Sequence, residues 1–148
     1  MTNAVLRVAR VGDIGAMHRV RLAVRENRLV STITEADYVE ALERTGRGWV
    51  VERDAAIVGF AVRNVRTGNV WALFVDPAHE RQGHGRRLHA AMMSWMFASG
   101  LARAWLSTEP GTRACRFYEA AAWRWVATLA SGEHELEMLP RDFHAPGV

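Results

Sequence analysis

The chain has 148 residues, enough for one domain with a real core. Its composition is that of a soluble globular protein, and its net charge of +3, carried by arginine, is too mild to argue for nucleic acid but suits a polyanionic small molecule. A single cysteine, Cys115, excludes an internal disulfide or a cysteine metal cluster; with no export signal, membrane-length apolar run, repeat or low-complexity segment in view, we expect a reduced, cytoplasmic chain.

Residues 5–9 alternate well enough for a first strand, ended at Gly12-Asp13. Asp13 suits an N-cap, and Ile14, Met17, His18, Arg21, Leu22 and Arg25 follow at helical spacing, so a helix is expected to run out near Asn27. Thr34 with Asp37 three residues on reads as a capping box for a second helix, with Tyr38, Ala41 and Leu42 facing inward and Gly46 ending it. Residues 48–53 and 57–63, joined by Asp54-Ala55-Ala56, form an antiparallel hairpin.

Thr67-Gly68-Asn69 turns the chain into an apolar run, Val70–Val75, that suits a strand and is stopped by Pro77. After a polar loop, Gly83 and Gly85 open a helix in which Leu88, Ala91, Met92, Trp95 and Ser99 share a face and which ends at Gly100. Residues 104–108 give another strand, expected parallel to Val70–Val75 through a right-handed crossover. A helix over 112–121 places Ala114, Phe117, Tyr118 and Ala121 on one face. A closing hairpin, 123–129 and 133–139, turns at Ser131-Gly132, and the chain after Pro140 reads as a loose tail.

Strand, glycine turn and helix together form a natural holder for phosphate. The first turn of a helix has free N–H groups and a partial positive charge, and glycines let an anion approach. Arg81, Arg86 and Arg87 add formal charge. The spacing is neither a Walker loop nor a dinucleotide fingerprint: Leu88 stands where a third glycine belongs, and seven residues separate Val75 from Gly83.

The stretch instead resembles the acetyl-CoA-binding motif of the Gcn5-related N-acetyltransferases: a strand, V-x-P, then Q/R-x-x-G-x-G/A opening a helix. Val75-Asp76-Pro77 and Gly83-His84-Gly85 match in order and spacing, whereas the family's Gln or Arg is Glu80, beside Arg81 and Gln82. A second run, 111–123, resembles the family's N-x-x-A-x-x-F-Y-E-K-x-G-F. Ala114, Phe117, Tyr118 and Glu119 match; Gly111 replaces the Asn, Ala122 the Gly and Trp123 the final Phe.

The resemblance implies a single-domain α/β (α+β) fold over residues 1–140, with 141–148 as a tail. Its mixed, mainly antiparallel sheet has about seven strands, splays at the fourth and fifth, and is flanked by about four helices. It implies acetyl transfer from acetyl-CoA to a primary amine of a small molecule or peptide, without a metal. His79, His84 and His89 do not have zinc-site spacing. Nucleic acid and membrane are not expected as partners; a homodimer stays open.

By the same resemblance the backbone of Phe74 and Val75 pairs with pantetheine, and Arg81, Gln82, Gly83, His84, Gly85 and Arg86 hold the diphosphate, with Ala114 and Phe117 alongside. Val75 N–H is the implied oxyanion donor. Tyr118 is the acid for the departing thiolate or, alternatively, a packed aromatic. Glu109 is a candidate base or a solvated turn residue; a water chain is the other route. Glu26, Asn27 and Trp71 are candidates for the acceptor side. Glu133, Glu135 and Glu137 share one strand face, expected to be solvated. The competing reading is an inactive acyl-CoA-binding module on the same fold, kept open by Glu80, Gly111 and the absence of an acid on Val70–Val75.

Overall fold

The computed structural model describes residues 4–24, 33–64 and 67–143. Among them the order is β1 (Ala4–Val8), α1 (Ile14–Ala23), α2 (Glu35–Glu43), β2 (Gly46–Arg53), β3 (Ala56–Asn64), β4 (Val70–Val75), α3 (His84–Ala98), β5 (Ala104–Thr108), α4 (Arg113–Ala120), β6 (Arg124–Thr128) and β7 (His134–Met138). The capping box forms as expected: Thr34 Oγ1 accepts from Asp37 N at 3.2 Å, and Asp37 Oδ2 accepts from Thr34 N at 2.7 Å. That reciprocal pairing satisfies two donors that the first turn of α2 would otherwise orphan.

β1 to β4 pair antiparallel in sequential order, and β5, β7 and β6 form a second antiparallel sheet with β7 in the middle. One apolar cluster, including Val51, Ala61, Leu88, Met92, Leu106 and Leu136, binds α3 and α4 to both sheets. A second, including Met17, Val20, Tyr38, Val50, Phe60 and Val62, seats α1 and α2 on the opposite face of the first sheet.

Among the described residues the sheets join at a single parallel bridge, between Asn69 and Trp105. Trp105 N donates to Gly68 O at 3.0 Å and its indole Nε1 to Thr67 O at 2.9 Å. The expected parallel pairing of β4 with β5 is therefore confined to this apex. The cause lies in β4: Val62 pairs with Ala72 but Arg63 with Val70, so Trp71 is an extra, unpaired residue. A bulge bends its strand and raises its twist.

One other expectation is corrected, and one falls outside the described residues. The described part of α1 ends at Ala23, and residues 25–32 lie outside the described residues, Arg25, Glu26, Asn27 and Arg28 among them. Pro140–Asp142 is a 3₁₀ turn rather than loose chain, because Phe143 behind it packs its ring on His89 and Phe97, at centroid distances of 6.3 and 6.0 Å.

Gly68 holds the apex. Its φ is +75°, and a Cβ there would lie 2.2 Å from the carbonyl oxygen of Arg103. Gly68→Ala is expected to destabilise the fold by about 3 kcal/mol, from the left-handed backbone plus the clash, read as a lowered thermal midpoint.

Candidate active site

Backbone alternation decides what β4 presents to the gap. Asp76 N donates to Val58 O on β3 at 2.8 Å. Along a strand successive amides point to opposite sides. Those of Val75 and Leu73 therefore turn away from β3, into the space that β5 has left. The amide of Phe74 turns toward β3, so Leu73 rather than Phe74 accompanies Val75 on the open edge.

At the end of β4 the chain makes a short 3₁₀ turn, Pro77–His79, in which Asp76 Oδ1 accepts from Ala78 N at 2.9 Å. Arg81 follows with φ +62°, then Gly83 with φ +85° as the N-cap of α3, without a side-chain cap. The first helical bond runs from Arg87 N to Gly83 O at 3.0 Å. The amides of His84, Gly85 and Arg86 precede it and have no acceptor within the helix, at its positive end.

Gln82 and His84 brace this loop with their side chains. Gln82 Oε1 accepts from Arg53 Nη1 at 2.7 Å and lies 3.0 Å from His84 Nε2, which makes Nε2 the protonated nitrogen of the ring. Burial lowers the pKa of His84, and the charges of Arg87, His79 and Arg53 lower it further. Glu80, the acid that departs from the motif, forms an ion pair with Arg113, the first residue of α4. Its negative charge is thereby offset beside the loop. Sequence reasoning missed Arg113, since nothing in its spacing connects it to Glu80.

Thr112 caps α4, accepting from Cys115 N at 3.2 Å and donating to the carbonyl of Glu109 at 2.8 Å. This fixes the half-buried Glu109 just beyond the end of β5. Ala114 and Arg86 are exposed. The Phe117 ring and the Val75 side chain lie 3.6 and 3.7 Å from where a Cβ on Gly85 would stand, so β4, the glycine loop and α4 converge there. Tyr118 is buried, 5.4 Å from the ring centroids of both Phe117 and Trp123. Burial raises its phenol well above the ordinary value. No described residue hydrogen-bonds its hydroxyl. Cys115 is buried too, and burial raises its thiol, so it is no thiolate nucleophile.

On the other face of β4, Trp71 meets the Arg21 guanidinium at 4.8 Å, and Phe74 meets it at 5.0 Å. Arg21 Nε also donates to the Tyr38 hydroxyl at 3.1 Å. Trp71, Asp37, Glu40 and Asn64 help to line a cavity of about 400 Å³ between α2 and the sheet. Glu135 and Glu137 are held by Arg103. Among the described residues no group of side chains suits a metal ion, and no helix is long and apolar enough to cross a membrane.

A splayed β4 edge, an uncapped glycine-led helix and a converging α4 define an acyltransferase of a known class. The acetyltransferase (GNAT) family model matches residues 17–123, and the chain belongs to that family. Its fold is similar to those of solved N-acetyltransferases. The ribosomal-protein-S18-alanine N-acetyltransferase from Escherichia coli shares 17% identity with a TM-score of 0.74, covering 98% of each chain. The PaiA N-acetyltransferase from Thermoplasma acidophilum, solved in complex with coenzyme A, shares 11% identity with a TM-score of 0.80, covering 93% of this chain and 99% of that one. Mutant forms of the spermidine/spermine N-acetyltransferase SpeG from Vibrio cholerae share 17% identity with a TM-score of 0.73, covering 95% of each. No curated protein matches the sequence significantly.

The two loop glycines are expected to respond oppositely to alanine. Gly83→Ala forces a side chain into left-handed backbone and should cost about 1–2 kcal/mol. Gly85→Ala meets only ordinary contacts and should be neutral or stabilise by about 0.5 kcal/mol through helix propensity. Thermal denaturation of both variants checks the contrast.

Proposed function

We propose that the chain transfers the acetyl group of acetyl-CoA to a primary amine by direct attack in a ternary complex. The observation that carries this is the open edge of β4, Leu73 and Val75, beginning at an uncapped helix N-terminus. The diphosphate sits on the amides from Arg81 to Arg86, with the Arg81 and Arg86 guanidinium groups as counter-charge. Pantetheine then runs along β4 like an added strand, past Phe117 and Ala114.

Gly85 lies beside Val75, so a diphosphate on the loop puts pantetheine next to Val75 and carries the thioester one pleat deeper. The carbonyl there meets the Leu73 amide. That makes Leu73 the oxyanion donor, in place of the Val75 amide that the family resemblance implies, while Val75 holds the pantetheine. The neutral amine attacks the thioester carbon and a tetrahedral oxyanion forms. Its collapse breaks the C–S bond and expels the thiolate of CoA. Tyr118 donates its proton to that sulfur; a phenol carries its proton throughout the working range. The amine's proton leaves through Glu109 or through water, and a proton from the same route restores the Tyr118 phenol for the next turnover.

The acceptor approaches from the α1 and α2 side, where Trp71 forms part of the wall; Glu26 and Asn27, on the segment outside the described residues, remain our candidates for its mouth. The amine-bearing targets named for the solved neighbours, an alanine of a ribosomal protein and spermidine or spermine, support an amine acceptor. We place the reaction in the cytoplasm, where a free thiol of CoA stays reduced.

Saturating CoA should stabilise the protein by about 2.7 kcal/mol at a hundred times its Kd, seen as a raised thermal midpoint; no shift would remove the cofactor assignment. Tyr118→Phe should lower kcat by about 100-fold while leaving acetyl-CoA affinity nearly intact. Because the phenol is raised, wild-type kcat should hold on the alkaline side to at least about pH 10, the ordinary phenol value. Glu80→Gln removes an acid beside the diphosphate and releases Arg113, and is expected to tighten CoA several-fold by calorimetry at low salt.

A further inference from the structure

Where the family motif ends in Phe, this chain has Trp123, which is 4% exposed. An indole brings an N–H that must find an acceptor when buried. The acceptor is His89 on α3: Trp123 Nε1 donates to His89 Nε2 at 2.9 Å. Accepting there fixes the imidazole as the neutral tautomer with its proton on Nδ1. His89 is 6% exposed and is packed by the rings of Phe117, Tyr118 and Phe143, at centroid distances of 5.8, 6.4 and 6.3 Å. Burial lowers its pKa to about 4, so the same neutral form persists through the physiological range.

This pair touches Tyr118 from two elements. Trp123 lies 5.4 Å from the Tyr118 ring at an interplanar angle of 68°, and His89 lies 6.4 Å from it at 57°. Apolar contact is non-directional and leaves a ring free to rock, whereas a hydrogen bond fixes angle as well as distance. We propose that the His89–Trp123 hydrogen bond is a positioning device that fixes the Tyr118 ring and so aims its hydroxyl at the leaving sulfur. The inference rests on the reading of Tyr118 as the acid. A tie between α3 and the turn that follows α4, behind that ring, makes the direction of the hydroxyl a property of two elements rather than of one side-chain rotamer.

The test uses His89→Leu, which orphans the indole; His89→Gln, which keeps an acceptor; and Trp123→Phe, which removes the donor and keeps an aromatic ring should His89→Leu not fold. Kinetics use acetyl-CoA with spermidine or an alanine-terminated peptide as the amine. His89→Leu and Trp123→Phe should each lower kcat about tenfold with the KM for acetyl-CoA held within about twofold, the signature of misaimed chemistry, and His89→Gln should recover most of the loss. In a Tyr118→Phe background, His89→Leu should change kcat less than twofold. The chain has only two tyrosines, so ¹³C-tyrosine spectra give a readout independent of turnover: the Tyr118 ring signals should shift or broaden in both variants while those of Tyr38 stay in place. Equal losses in wild-type and Tyr118→Phe backgrounds, or an unmoved Tyr118 signal, would overturn the proposal. If Tyr118→Phe itself turns over like wild type, or wild type acetylates neither amine, the catalytic reading beneath it falls instead, and the spectra still report whether the pair holds the ring.

Discussion

Backbone amides do not tolerate being left without partners, and the molecule turns on a strand edge where they are. β4 pairs with β3 on one side, apart from the bulge at Trp71, and on the other side the described residues meet β5 at one bridge, Asn69 with Trp105, just before β4 begins. The extra residue at Trp71 bends the strand away, and the amides of Leu73 and Val75 are left facing the gap. An extended ligand carrying its own amides is the natural complement of such an edge. The glycine-led start of α3 stands at the edge's open end and adds a place for an anion.

Two departures from the family motif, Glu80 and Trp123, come with structural partners. Glu80 brings an acid beside the uncapped start of α3, and Arg113 from α4 pairs with it. Trp123 brings a buried donor, and His89 from α3 accepts from it. In both cases a buried or closely placed polar group is matched from a different helix, as the cost of leaving it unmatched requires. These matches also tie α4 to the glycine loop and the turn that follows α4 to α3, which keeps the two motif segments in register with each other.

Local chemistry was readable in the sequence; long-range pairing was not. The Thr34–Asp37 capping box, the β4 run and the glycine-led helix announce themselves within a few residues, because caps, branched side chains and glycines act on neighbouring backbone. The Trp71 bulge has no such signal, since neither Gly nor Pro marks it. The insertion of β7 between β5 and β6 depends on which edge the closing hairpin meets, a choice made by packing. The turn at Asp54 and Ala55 holds both residues at positive φ, 52° and 65°, which strand twist imposes although Ala gives no hint of it. The loop glycines mark the uncapped start of α3, but only the direction of the Asp76 amide shows that Leu73, not Phe74, shares the open edge with Val75.

The single bridge also sets a mechanical property. Val75 lies six residues beyond the Asn69 bridge, a lever arm of roughly 20 Å at strand rise. A rocking of the two sheets by only about 5° around that corner would displace the tip by over 1 Å, an error of the size that costs an enzyme about a hundredfold in rate. Stiffness at one glycine-bound corner, and in the α3 layer spanning both sheets, is therefore what calibrates a gap whose contents must be placed to a fraction of an ångström.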